Sequence, residues 1–200
     1  MLSDGYHDIP AGKVAAIVTH LEMRAPVTAR STKTPDGLTL EIVERSEPDW
    51  YRDLFMRVGG VDWLWFSRLG LDDAALVSIL HDPDVDLYVL MQDGVAQGMV
   101  ELDFRKPGEC ELAYFGLTAK LIGQGAGRYM MNHAIAQAWS RPISCFHLHT
   151  CTLDSPQALG FYQGCGFVTR RQQVEIADDP RLVGVLPRDA APHVPMFPID

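Results

Sequence analysis

No stretch of this sequence approaches the ~18 consecutive apolar residues a helix needs to cross a bilayer, so no membrane span is expected. The basic and then apolar start of an export signal is missing too. Met1 to Pro10 carry Asp4, His7 and Asp8 instead, which points to a cytoplasmic location. Cysteine is sparse. Cys110, Cys145, Cys151 and Cys165 are the only four, none sits in a Cys-x-x-Cys pair, and a chain of 200 residues can bury a core without crosslinks. Positive charge is the minority sign. Seventeen Lys and Arg face 26 Asp and Glu, and the formal net charge of -9 repels a polyanion, which leaves nucleic acid out as a partner.

What is present is enough apolar material for one compact domain, at 47% of residues. Val14 to Met23 reads as a strand or short helix and Ala25 to Gly37 is rich in breakers, so residues 1–37 are set apart as an N-terminal extension. Period-two alternation over Leu38 to Val43 marks a half-buried strand and the start of the domain, residues 38–176. Pro48 opens a helix that the spacing of Trp50, Leu54, Phe55 and Val58 carries to Gly59-Gly60, and Asp72 is placed to cap a second. Asp86 to Met91 and Val95 to Phe104, joined across Asp93-Gly94, predict a β-hairpin, followed by a strand over Glu109 to Leu117. The stripe Met130, Met131, Ala134, Ile135, Ala138 and Trp139 has helical period. Ser144 to Thr150 reads as a strand, Ser155-Pro156 opens a short helix through Tyr162, and Gly166 to Gln172 reads as the last strand. A tail, residues 177–200, holds five prolines and is expected to be irregular. The order predicts an α/β fold with a mixed, mostly antiparallel sheet and helices on both faces.

Between a strand and the amphipathic helix lies Leu117-Thr118-Ala119-Lys120-Leu121-Ile122-Gly123-Gln124-Gly125-Ala126-Gly127-Arg128. Glycines at alternate positions let backbone N–H groups face one concavity at a helix start, where a pyrophosphate is stabilised; a tight strand-to-helix turn would use the same residues. A P-loop is excluded because Gly127 is followed by Arg128 and Tyr129, and a dinucleotide fold because antiparallel strands precede the loop.

The form Ile122-x-x-Gly125-x-Gly127 resembles the coenzyme A loop, Arg/Gln-x-x-Gly-x-Gly/Ala, of the Gcn5-related N-acetyltransferase (GNAT) family, with Ile122 in the place of the usual Arg or Gln. Ser155 to Phe167 resembles the family's Asn-x-x-Ala-x-x-x-Tyr-x-x-x-Gly-Phe segment through Ala158, Tyr162, Gly166 and Phe167, with Ser155 in place of Asn. The resemblance spans Glu109 to Gln172. It implies acetyl coenzyme A as cosubstrate, with Ile122, Gly123, Gln124, Gly125, Ala126, Gly127 and Arg128 around its pyrophosphate. Phe115 and Leu117 would lie along its pantetheine arm, Tyr162 would reach its sulfur, and Ser155 would contact the cofactor in the place of the family's Asn. Direct acetyl transfer to a primary amine of a small molecule or peptide is the activity implied, and a non-catalytic acyl coenzyme A sensor is the alternative.

Tyr162 is the resemblance's acid for the leaving sulfur, and the Leu117 N–H its donor to the thioester carbonyl. Glu111 is the candidate base. Strict alternation would put Glu111, Ala113, Phe115 and Leu117 on one face, where apolar neighbours would raise the pKa of a carboxylate; a solvent-facing glutamate is the other reading, and Glu101 is held in reserve. Trp63 and Trp65 fall where the family builds its acceptor pocket, as a wall for a cation or flat amine, a lid, or a contact with a second copy in a homodimer. Cys145, His147, His149 and Cys151 alternate along one strand, but at ~6.6 Å per two residues they cannot converge on one ion, so no metal is expected, while His147 or His149 is placed to assist proton transfer.

Overall fold

Alternating and apolar segments pair into one seven-stranded sheet in the computed structural model, which describes residues 3–28 and 32–198. The strands are β1 (Lys13–Met23), β2 (Leu38–Ile42), β3 (Val85–Gln92), β4 (Val95–Asp103), β5 (Glu109–Leu117), β6 (Cys145–Cys151) and β7 (Val168–Asp178), in the spatial order β2-β3-β4-β5-β6-β1-β7. All neighbours are antiparallel except β5 and β6. The β3–β4 hairpin turns at Asp93-Gly94, both with positive φ, as its Asp-Gly dipeptide requires.

Helices cover both faces. On one lie α1 (Pro48–Phe55), a π-helical turn over Met56–Gly60, α2 (Val61–Trp63) and α3 (Asp73–Leu80), burying Tyr51, Leu54, Phe55 and Leu76 against Leu87, Val89 and Met99. Pro48 sits in the first turn of α1, and the Asp72 carboxylate caps α3 by accepting the Ala75 N–H at 2.8 Å, a bond of the kind worth about 1 kcal/mol. On the other face lie α4 (Ala126–Ala138) and α5 (Ala158–Gly164). The α4 stripe of Met130, Met131, Ala134, Ile135 and Ala138 packs onto Leu102, Leu112, Phe146 and Leu148.

Three segments depart from the sequence expectations. Residues 13–23, set apart as an extension, form a strand hydrogen-bonded on both sides, because Val14, Ala16, Val18 and Leu21 carry an apolar face that only insertion between β6 and β7 buries. The first helical run does not stop at Gly59-Gly60; it continues to Trp63 and ends at Leu64, which takes the left-handed conformation. The glycines serve close approach instead, since a Cβ on Gly59 would lie 2.1 Å from the Trp65 ring. β7 runs on to Asp178, and the tail behind it is irregular but packed. Arg181, buried with Asp179, donates to Ala190, Ala191 and Val194 carbonyls, and Leu186, Ala190 and Ala191 cluster with Leu64. The outermost parts of the assigned extension and tail, residues 1–2, 29–31 and 199–200, lie outside the described residues.

Candidate functional site

The parallel strands β5 and β6 pair only where Glu109 to Glu111 lie beside Cys145 to His147. Beyond that they diverge, and the wedge between them opens into a cleft of about 490 Å³ whose floor is Leu112 to Leu117. Beyond Glu111 that edge of β5 is thereby left without a strand partner among the described residues. Thr118 N–H donates to the Gln97 carbonyl on the β4 side, so by alternation the amides of Leu117 and Phe115 point to the open edge.

A β-bulge sets what faces the cleft. Leu102 pairs with Leu112 while Glu101 pairs with Tyr114, leaving Ala113 as the extra residue of β5. The alternation therefore reverses there. Cys110, Leu112, Phe115 and Leu117 turn to the α4 side, whereas Glu111 shares the other face with Tyr114 and Gly116. This corrects the expectation that Glu111 stands in line with Phe115 and Leu117. Glu111 does not line the main cleft; it borders a shallow surface hollow with Asp103, Arg105 and His147. Glu101 is unavailable, being fully buried and held by Tyr51 Oη at 2.6 Å and Arg68 Nη2 at 2.5 Å.

His149 bridges Glu111 to the cleft. Its Nδ1 is 3.6 Å from Glu111 Oε1, and its ring lines the cavity. Interaction with Glu111 lifts the imidazole pKa above its ordinary value, and the same interaction holds the Glu111 carboxyl below the usual range. The raised carboxyl pKa expected for Glu111 is thus reversed, because a histidine partner outweighs the burial. His20 on β1, Glu175 on β7 and Asp154 after β6 also face His149.

Across the cleft, Tyr162 stands edge-on to Phe115 and Phe167, and its hydroxyl makes no hydrogen bond among the described residues. Burial pushes its pKa up, so the phenol keeps its proton at neutral pH. Gly123 and Gly125 have φ of 81° and 82°, with open space where their side chains would be. The Ala126, Gly127 and Arg128 amides at the start of α4 have no backbone acceptor among the described residues. Gln124 is turned back into the loop, its N–H to Leu121 O and its Nε2 to Lys120 O. Arg128 ties α4 to α5 through the Gly164 carbonyl at 3.2 Å and lies over the Phe161 ring. Ile122 is half exposed at the cleft mouth, and Ser155 Oγ accepts the Gln157 N–H.

Residues 41–167 match the family model described as the acetyltransferase (GNAT) family. The chain belongs to this family. Among solved structures, the chain is similar to a GCN5-related N-acetyltransferase from Sphaerobacter thermophilus, with a TM-score of 0.63 and 14% identity over 92% of this chain. It spans 54% of that protein's length. An aminoglycoside acetyltransferase from an uncultured soil metagenomic sample gives a TM-score of 0.56 at 12% identity, over 70% of this chain and 94% of that one. An IAA acetyltransferase from Bacillus cereus ATCC 14579 gives 0.51 at 19%, over 67% and 79%. No curated protein gives a match.

In this GNAT chain both tryptophans border the cleft, but they are held differently. Trp65 is fixed, its Nε1 donating to Asp154 Oδ1 at 3.1 Å and its ring wedged against Gly59 and Gly116. Trp63 leans edge-on against His193 of the tail. Along the alternating row on β6, His147 pairs with Glu109, His149 with Glu111, Cys145 is buried, and Cys151 borders the cleft. Sequence reasoning missed Asp154, which joins Thr150, Cys151 and Trp65, and the Asp179–Arg181 pair. Asp154 carried a signal, since a lone acid directly before Ser-Pro in a turn tends to organise the backbone around it.

Proposed function

We propose that this chain transfers an acetyl group from acetyl coenzyme A to a primary amine of a small molecule or peptide, by direct attack. The observation that carries the reading is the splay of β5 from β6: it leaves an unpaired strand edge that runs straight into a glycine turn and the free amides of α4. The residues fit that cosubstrate. Phe115 and Leu117 would hold the amide-bearing arm on the open edge, while Gly123, Gly125 and the Ala126 to Arg128 amides would hold the phosphates. Ile122 and Ser155 would flank the bound arm. When bound, acetyl coenzyme A supplies an acyl carbonyl activated by its sulfur.

His149, poised by Glu111, takes the proton that the attacking amine loses, and Tyr162 gives a proton to the departing sulfur. A covalent relay through the chain is disfavoured. Cys151 is the one thiol bordering the cleft among the described residues, and burial pushes its pKa up to about 11, so it is a neutral thiol and a poor nucleophile. None of the four cysteines is joined in a disulfide among the described residues, which supports a reducing, cytoplasmic setting.

The reading includes a homodimer through β7. This edge strand is exposed along nearly its whole length, and with Ile17 it presents Val174 and Ile176. Light scattering should give twice the chain mass, and Val174→Lys with Ile176→Lys should return it to one.

The deciding experiment measures acetyl coenzyme A uptake by calorimetry and thiol release with a panel of amines. Uptake with turnover supports the reading; uptake without turnover favours the acyl coenzyme A sensor; no uptake overturns both.

A further inference from the structure

The cleft is lined by more than the strand edge and the glycine turn, and the further lining has a chemistry of its own. The same cleft is walled by Trp63, Leu64, Trp65, Phe66 and Leu153, and its polar groups include two carboxylates, Asp154 and Glu175. No Lys or Arg lines the cleft among the described residues. The guanidinium nearest in sequence, Arg68, is committed to buried Glu101 at 2.5 Å and cannot turn inward without abandoning that charge.

We infer that the acceptor is a primary amine on a flat apolar body, an arylalkylamine entering as its cation, held between the Trp65 wall and the Asp154 and Glu175 carboxylates. The inference rests on the acetyl-transfer reading and sharpens it. The wall is rigid. Asp154 fixes the indole of Trp65 through its Nε1, and Phe55 and Tyr114 pack against that ring at centroid distances of 5.4 and 5.3 Å. Asp154 is itself immobilised by Thr150 Oγ1 at 2.7 Å and the Cys151 N–H at 2.9 Å. A rigid aromatic face selects a flat partner, and an ammonium is drawn to both the carboxylates and the ring faces.

The same groups reject other amines. An amino acid would bring its carboxylate beside two more with no Lys or Arg on the described lining to answer it, and a polyamine would have to strip water from extra charges against indole and leucine. The geometry also feeds the chemistry: Glu175 and Asp154 both face His149, so an ammonium drawn to them arrives beside the group that takes its proton.

The test uses the full chain with acetyl coenzyme A and compares tryptamine, 2-phenylethylamine, spermidine and glutamate by thiol release. The two arylalkylamines should exceed spermidine and glutamate at least tenfold in kcat/KM. Glu175→Gln, on an exposed side chain whose loss leaves the fold alone, and Asp154→Asn should each raise KM for tryptamine several-fold while leaving acetyl coenzyme A affinity unchanged. A preference for spermidine or glutamate, or an unmoved KM in both variants, overturns this inference and leaves acetyl transfer standing. Absence of turnover with every amine overturns the acetyl-transfer reading and this one with it.

Discussion

At the scale of single residues, position and partner decide chemistry more than residue type does. Tyr162 was legible as a residue of a short helix, which the structure packs against Phe115, and the proton transfer proposed for it depends on one hydroxyl. Tyr162→Phe should cut turnover on the order of 100-fold and leave acetyl coenzyme A affinity within error by calorimetry, since the ring packing is kept and only the proton donor is lost. Glu111 was legible as a carboxylate near the site but not in its orientation. A period-two pattern does not reveal the bulge at Ala113, which depends on how β5 meets β4, and that bulge moves Glu111 behind His149. The sign of the pH response follows. Activity should rise with pH as His149 loses its proton, with an apparent pKa above 6.5 because Glu111 favours the charged imidazole. Glu111→Gln removes that stabilisation and should move the acid limb of the kcat/KM profile to lower pH; a limb that stays in place would exclude the pairing from catalysis.

Among elements, the hairpin, α4 and the glycine turn were readable because each is a local device: a turn dipeptide, a stripe of period 3.6, and glycines where φ must be positive. The turn makes a separable prediction. Gly125 has φ of 82°, so Gly125→Val forces a β-branched residue into left-handed backbone, at a cost of about 1–2 kcal/mol, and screens the amides behind it. Acetyl coenzyme A affinity should fall at least tenfold by calorimetry. Gly127→Ala should be far milder, because its Cβ meets nothing closer than Leu117 at 3.7 Å. β1 was the element that could not be placed. Val14 to Met23 read only as a strand or short helix, and the strand's partners lie far along the chain, with Val18 beside Cys151 on one side and Gln173 on the other. No local rule chooses among such distant edges.

Over the whole molecule, the tail packs Leu186, Ala190 and Ala191 against Leu64, which itself lines the cleft. One buried pair organises it. Burial pushes the Asp179 carboxyl up, but Arg181 outweighs this and leaves it below the ordinary carboxylate range. The stabilisation is therefore present above the unfolded carboxyl's pKa and is lost as pH falls through the lower folded value. Arg181→Ala strands a buried carboxylate and removes the donor to four carbonyls, and it should cost about 3–5 kcal/mol, read as a lower urea midpoint at neutral pH. The sequence by itself determined the α/β class, the order of most elements, the glycine turn and the tyrosine, because each is written in neighbouring residues. The insertion of β1, the reversal at Ala113, the pairing of Glu111 with His149 and the carboxylates that line the cleft with Trp65 were decided only by the tertiary structure. Each depends on which distant backbone edges meet and on which side chains their register then brings face to face.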